Sequence, residues 1–447
     1  MKKFVFLCVV LLLVGAIAFA GGKKESGGGK VELTFTLWGT ADEARVTQQA
    51  IDVYNNQQNS VHVTARAIPW EAYIDTLNTQ AIAGQMPDCG MMMESGAASF
   101  AERGLLADMT PMYPAGDPQT PLPSLAFKSG GKIIGYSSAN VQLMLYYNED
   151  MFSAAKVPAP PKELAQAWTW DQFVDTAKKL TRDASGKTPN DAGFDRTKIV
   201  QYGVMVENLT WQLELWALSN GGGFFSPDGK EVWLDNPKTI EAIQRIADLH
   251  LVHNVAPLSA GNTDDGVQRS LIAKTAAMTT NGSWNIGTCL ASARDEGLKY
   301  NVGVLPHMGT KLTLNTGGPL VVFSQSKHQK EAMDFLKWYA RADAEATWGL
   351  ITAGIWMPTQ GEWFSNMDKV REWATSPAYP PFDDFYNAVV KNALTNAKPA
   401  AWYYTPNTDA VYELLGSILG PVWTGQQSAQ QAITANIAAL KRAHAGN

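Results

Sequence analysis

Residues 31–67 read VELTFTLWGTADEARVTQQAIDVYNNQQNSVHVTARA, and the order of patterns inside this stretch sets the architecture. Val31 to Trp38 alternates apolar and polar residues, the period of a half-buried strand. Gly39 ends it. Thr40 and Glu43 form a capping box, and Val46, Ala50, Val53 and Tyr54 then recur at helical spacing to about Asn55. Val61, Val63, Ala65 and Ala67 alternate again as a second strand. A helix over Glu71 to Ala83 closes at Gly84, and Pro87-Asp88 opens a third strand from Cys89 to Met93. Strand–helix–strand–helix–strand requires right-handed crossovers, so an α/β fold with a largely parallel sheet is expected.

The pattern returns downstream. Lys132 to Tyr136, Leu143 to Tyr147, Val200 to Met205, Thr275 to Thr279 and Lys299 to Leu305 read as strands. Thr169 with Gln172 caps a helix through Leu180, and Asn236-Pro237 starts another through His250. Ser326 with Gln329 is expected to cap a helix carrying Ala332, Phe335, Leu336 and Tyr339 on one face. The last hundred residues are mostly helical in pattern and rich in Trp and Tyr. No internal repeat and no long linker separates the halves, which predicts two α/β lobes between which the chain crosses more than once.

The N-terminus carries an export signal: Lys2-Lys3, an apolar run from Phe4 to Val14, then Ala18-Phe19-Ala20 at the cleavage position. The run is shorter than the roughly 20 residues that span a bilayer. Cleavage after residue 20 removes two lysines and no acid, leaving 34 basic against 42 acidic side chains, a net charge of −8. Gly21 to Lys30 is a polar tether without packing residues. A mildly acidic exported chain has no electrostatic reason to bind nucleic acid or an anionic membrane. Cys89 and Cys289 are too isolated for a disulfide scaffold and read as buried thiols. Fifteen Trp, 14 Tyr and 16 Phe supply flat faces for cores and for stacking on sugar rings.

Catalytic signatures are sparse. His250 and His253 lie three apart on a helix, without the acid of a zinc-binding H-E-x-x-H. There is no G-x-S-x-G elbow and no phosphate-cradling G-x-x-x-x-G-K-S/T. Gly221-Gly222-Gly223 reads as a turn after a helix, Asp228-Gly229 as a hairpin turn, and Asn262 to Gly266 as a loop that lacks calcium-ligand spacing. No metal or other cofactor is expected. Glu207 with Glu214, or Asp383 with Asp384, are candidate carboxylate pairs for sugar hydrolysis, a chemistry decided by a separation the sequence does not show.

Blocks in a fixed order carry a resemblance. They are Leu37-Trp38-Gly39, Ile68-Pro69-Trp70-Glu71-Ala72-Tyr73, Ala83 to Asp88, Glu102-Arg103-Gly104-Leu105-Leu106, and Gly131 to Tyr136. Then come Tyr146 to Phe152, Trp168 to Phe173, Ser219 to Gly222, Ala276 to Trp284, Gly317-Gly318 and Lys330 to Leu336. From Val31 to about Pro358 the chain resembles the family 1 extracellular solute-binding proteins, the sugar receptors of ABC importers similar to the maltose-binding group.

The resemblance implies a two-lobed periplasmic-binding-protein fold of type II with the ligand cleft between lobes. It places lobe 1 at 31–140 and 307–357, and lobe 2 at 141–306 and 358–447. It implies a periplasmic monomer that binds a carbohydrate, delivers it to membrane permease subunits and catalyses nothing. The implied ligand contacts are Trp38, Thr40, Glu94, Ser95, Asn140, Gln142, Trp211, Asn281, Trp284, Gly317, Gly318 and Trp356. Met91, Met92 and Met93 depart from the aromatic or polar residues usual there. Few basic residues fall near these positions, which favours a neutral mono- or oligosaccharide. The alternatives are an acidic sugar or glycerophosphodiester in the same fold, or an exported carbohydrate-active enzyme.

Overall fold

A computed structural model describes residues 30–39, 41–258 and 269–446. The export signal, Thr40 and the Asn262–Gly266 loop lie outside the described residues. With strands numbered along the chain, the first sheet runs β2 (Val61–Ile68), β1 (Val31–Trp38), β3 (Cys89–Met91), β12 (Pro319–Val322), β5 (Lys132–Ser137), β4 (Ala126–Ser129). β1 pairs parallel with β2 and β3, as the crossovers require. β12 is antiparallel to both β3 and β5, and β4 to β5. The sheet is therefore mixed, because β12 enters from the other lobe and not through a βαβ crossover.

The second sheet runs β13 (Ala397–Pro399), β11 (Thr313–Thr316), β6 (Val141–Asn148), β9 (Ala276–Gly282), β8 (Ile199–Val206), β7 (Arg182–Asp183), and β10 (Tyr300–Gly303) also pairs with β6. β6 is buried along its whole length, which explains its nearly continuous apolar reading. Each sheet packs a core on both faces through the two-residue period. Leu143, Leu145 and Tyr147 join one cluster while Met144 and Tyr146 join the other. Leu320 and Val322 face Phe35 and Phe335, whereas Val321 faces Phe127 and Ile134.

Two antiparallel strands link the sheets. The chain leaves β5 at Ser137 and enters β6 at Val141; it leaves β11 at Thr316 and enters β12 at Pro319. Gln142 lies opposite Asn315 in the second sheet, and Pro319 opposite Ser137 in the first. A third segment joins them: the backbones of Asn140 and Met357 exchange hydrogen bonds of 3.2 and 3.1 Å. The first crossing spans Ser137 to Val141. The second lies at Gly317–Gly318 and not near 307, because Ser219 bonds the backbones of Met308 and Thr310 and holds β11 with the second sheet. Ala342, Ile351 and Met357 already pack with Met144, Tyr146 and Val302 of the second lobe.

The Thr169–Gln172 capping box forms as read, on a helix over Trp170–Leu180. Ser326 and Gln329 do not form one. The helix starts at Gln329, and Ser326 Oγ instead donates to Asp88 at 2.6 Å, tying this turn to the mouth of β3. The helix Pro237–Leu251 ends before His253, so the two histidines share no helical face; His250 Nδ1 lies 3.2 Å from the Ala256 carbonyl. No group of His, Cys, Asp and Glu able to hold a metal, and no helix long and apolar enough to cross a membrane, occurs among the described residues. Cys89 is a buried free thiol, and burial pushes its pKa up.

Candidate ligand-binding cleft

β1 and β3 end against hinge residue Gly318 in one lobe, and β9 ends beside Gln142 and Leu143 at the start of β6 in the other. The last residue of β1 is Trp38, a half-buried indole edge-on to Trp70 (5.5 Å, 89°) and Tyr73 (5.8 Å, 86°). Its ring lies against hinge residue Gly318, where a Cβ would come within 2.8 Å of Trp38 Cη2. Gly317 adopts φ +131°, a conformation only glycine takes without strain, and its carbonyl accepts from Tyr403 Oη at 3.3 Å. The two hinge glycines thus let the strand turn against an indole.

After β3 the chain turns directly into a helix over Glu94–Glu102, so the strand read to Met93 is shorter. Glu94 and Ser95 start that helix and face the second lobe. Burial raises the Glu94 carboxyl above the usual range and nearby Asp409 raises it further, while hydrogen bonds from its own backbone and Gly317 oppose the rise. Asp409 is also raised, first by burial, with Glu413 adding to it and a hydrogen bond from Ser95 opposing. These carboxyls meet across the lobe boundary, and neither has an ion-pair partner among the described residues.

The second lobe contributes three indoles. Trp211 sits in the first turn of the helix Thr210–Ser219, just after β8. Its ring lies 5.1 Å from Trp402 at 42° and 6.4 Å from Trp284 at 39°. Trp284 follows β9 and lies over Gly282, where any Cβ would fall within 1.8 Å of the ring. Glycine there is the condition for the indole's position. Trp402 is carried by a short turn, Ala401–Tyr403, and also packs edge-on against Tyr412 at 5.8 Å.

Several expected contacts lie elsewhere. Asn140 (0% exposed) and Gln142 (1% exposed) are enclosed in the hinge, sandwiched between β11 and the Met357 segment, and do not line a wall. Asn281 is buried in β9, and its Nδ2 donates to Glu207 Oε1 at 2.9 Å. Trp356 is partly buried against the second lobe's core, and its carbonyl accepts from Tyr379 Oη at 2.8 Å. Trp38, Glu94, Ser95, Gly317 and Gly318 stay together on one side, Trp211 and Trp284 on the other.

The candidate carboxylate pairs are engaged in structure. Glu207 accepts from Asn281 and Gln212. Glu214 Oε2 accepts from the Ala401 amide at 3.2 Å and from Tyr412 Oη at 3.3 Å. Asp384 accepts from Asn301 at 2.6 Å and pairs with Lys162 at 3.6 Å, on another part of the second lobe. Trp402 and Asp409 escaped the sequence reading, and Trp70 entered it only within the Ile68–Tyr73 block, not as a contact. The only trace of Trp402 there was the aromatic run Trp402-Tyr403-Tyr404 in a tail legible otherwise only as helical.

Residues 39–346 match the family described as bacterial extracellular solute-binding protein. The chain belongs to that family. A probable ABC transporter-binding protein of Deinococcus radiodurans is 25% identical over 324 residues, 70% of this chain and 71% of its own length. Among solved structures, the cyclic alpha-maltosyl-1,6-maltose binding protein of Arthrobacter globiformis superposes with a TM-score of 0.74 at 20% identity, covering 94% of this chain and 100% of that one. The sugar-binding protein MalE of Xanthomonas citri gives 0.74 at 17% identity, covering 93% and 98%. At these identities the structures establish the two-lobed fold. This solute-binding protein carries Trp38 at the end of β1, Trp211 after β8 and Trp284 after β9.

Proposed function

We propose that this protein binds a carbohydrate between its lobes, closes over it, and delivers it unaltered to the permease of an ABC importer. The observation that carries the reading is the group of neighbouring indoles Trp211, Trp284 and Trp402, together with the Trp38–Trp70 pair beside hinge residue Gly318. Indole faces suit the apolar faces of pyranose rings, and each stacked ring adds about 0.5–1.5 kcal/mol beyond area burial. Micromolar retention needs about −8 kcal/mol, so several rings together with hydroxyl hydrogen bonds suffice. Ligand favours the closed form because only there do both lobes touch it.

The polar groups at the walls, Glu94, Ser95 and Asp409, accept or share hydroxyl protons and bring no positive charge. This favours a neutral sugar over an acidic sugar or a glycerophosphodiester. Relatives in the same fold include binding proteins for arabinooligosaccharide and for a cyclic maltosyl-maltose, which fits an oligosaccharide of several rings. Because Glu207 and Glu214 are held by structural hydrogen bonds, we assign no hydrolysis to them. Residues 1–20 would direct the chain to the periplasm, where it would act as a monomer.

The test is tryptophan fluorescence and calorimetry with maltose, maltotriose, an arabino-oligosaccharide, glucuronic acid and glycerophosphocholine. Saturable binding of a neutral sugar with unchanged sugar recovered afterwards is expected. Binding only by the anionic compounds, or appearance of hydrolysis products, defeats the reading. A sugar at 100 times its dissociation constant should stabilise the fold by about 2.7 kcal/mol.

A further inference from the structure

The turn that carries Trp402 is attached to both lobes. On the first-lobe side, Tyr403 stacks on Phe127 of β4 at 3.8 Å and 19°, and its hydroxyl bonds the hinge at Gly317. Beside the hinge, the Ala400 amide donates to the Asn315 carbonyl of β11 at 3.1 Å. Toward Trp211 the polar tie is Glu214, which lies one helical turn beyond Trp211 on the same helix. Its carboxyl is 1% exposed and accepts both the Ala401 amide and the Tyr412 hydroxyl. Tyr412 in turn packs edge-on against Trp402. One buried side chain therefore sets the spacing between the indole of the helix and the indole of the turn.

We propose that Glu214 is the positioning residue of this site: it clamps the Ala401–Tyr403 turn to the Trp211 helix, so that Trp402 travels with the second lobe, and it thereby sets how tightly the cleft holds its ligand. The proposal rests on the carbohydrate reading only for its last clause.

The clamp carries a proton. Burial pushes the Glu214 carboxyl up to about 7, partly offset by the Ala401 and Tyr412 hydrogen bonds. The titratable groups facing it are Tyr412, from the helix Thr408–Trp423, and Tyr404, from the turn; burial raises both, and Glu214 itself raises them further. No ion pair to Glu214 occurs among the described residues. Below about 7 the carboxyl is neutral. Above it, a charge appears beneath the indoles. Glu214 is already closed off from solvent, so its charge acts on the arrangement of the indoles in the ligand-free protein.

The experiment reads near-UV circular dichroism of the ligand-free protein, where coupled indoles give a signature, from pH 5.5 to 8.5. The wild type is expected to titrate near neutrality. Glu214→Gln, which keeps an acceptor but no charge, is expected to show no titration. Glu214→Ala is expected to lose the coupling at every pH, as is Trp402→Ala, which identifies the signal. With maltotriose as probe, Glu214→Ala is expected to bind more weakly than the wild type at both pH 6 and pH 8, and Glu214→Gln to bind more tightly than Glu214→Ala. A Glu214→Ala spectrum like the wild type's overturns the clamp, whatever the pH profile of the wild type. Absence of maltotriose binding at both pH values counts against the sugar reading, while the spectra still decide the clamp.

Discussion

The two walls of the cleft are built from the same residue type by opposite means. In the first lobe, Trp38 and Trp70 touch edge-on, and Trp70 is 53% exposed. Trp38 rests on a hinge glycine. In the second lobe, three indoles pack at shallow angles, one over Gly282 and one on a turn held by a buried carboxyl. Trp70 is a surface residue that reorients at little cost, while Trp38 is packed against Tyr73 and Gly318. The second wall is a pre-organised platform, and rigid groups lose less entropy on binding. Under the proposed carbohydrate reading, the contrast assigns most affinity to the second lobe and most adjustment to Trp70.

The sharpest way to break this contrast is to remove one platform indole. Trp284→Ala should weaken ligand binding by about 2–4 kcal/mol, as expected for a central aromatic anchor, measured by calorimetry. An effect no larger than that of a first-lobe change would abolish the distinction. The hinge comes next. Gly317→Ala forces a side chain into φ +131° and toward Ser137 Oγ and the Ala139 carbonyl, at a cost of about 1–3 kcal/mol in chemical denaturation. Its signature is lost stability together with altered closure, which scattering of the free and ligand-bound protein would show.

A smaller effect concerns the acids at the boundary. Glu94 and Asp409 are both raised above ordinary carboxyl values, so the stability they contribute is complete at low pH and is lost as pH rises through the raised values. Glu94→Gln should flatten that part of the stability–pH curve in ligand-free protein; an unchanged curve would remove these acids from the account. The smallest change is at Trp70. Trp70→Ala should cost about 0.5–1.5 kcal/mol in ligand affinity and leave the melting temperature nearly unchanged, because half of the side chain already faces solvent.

How much of this was legible varies along the chain for identifiable reasons. The βαβ start, the strands 132–136, 200–205 and 299–305, and the Thr169 and Asn236 caps follow from local rules of period and capping, and they form at those places, the 299–305 strand shortened to Tyr300–Gly303 and the third strand to Cys89–Met91. The antiparallel entry of β12, and the membership of β11 in the second sheet, depend on pairings between residues more than a hundred positions apart. Ser326 had the right spacing for a cap, but Asp88 claimed its hydroxyl. Asn140 and Gln142 were placed correctly on the crossover, yet a third hinge segment covers them.

The amino-acid order alone was enough for an α/β chain with two lobes and for its family, because periodicity, caps and ordered blocks are local properties. Long-range contact brought Trp402 beside Trp211, set Glu94 against Asp409, and gave Glu214 its buried, clamping role. No spacing rule encodes these, since each joins segments that folding alone makes neighbours, and burial, not residue type, gives their groups their chemistry.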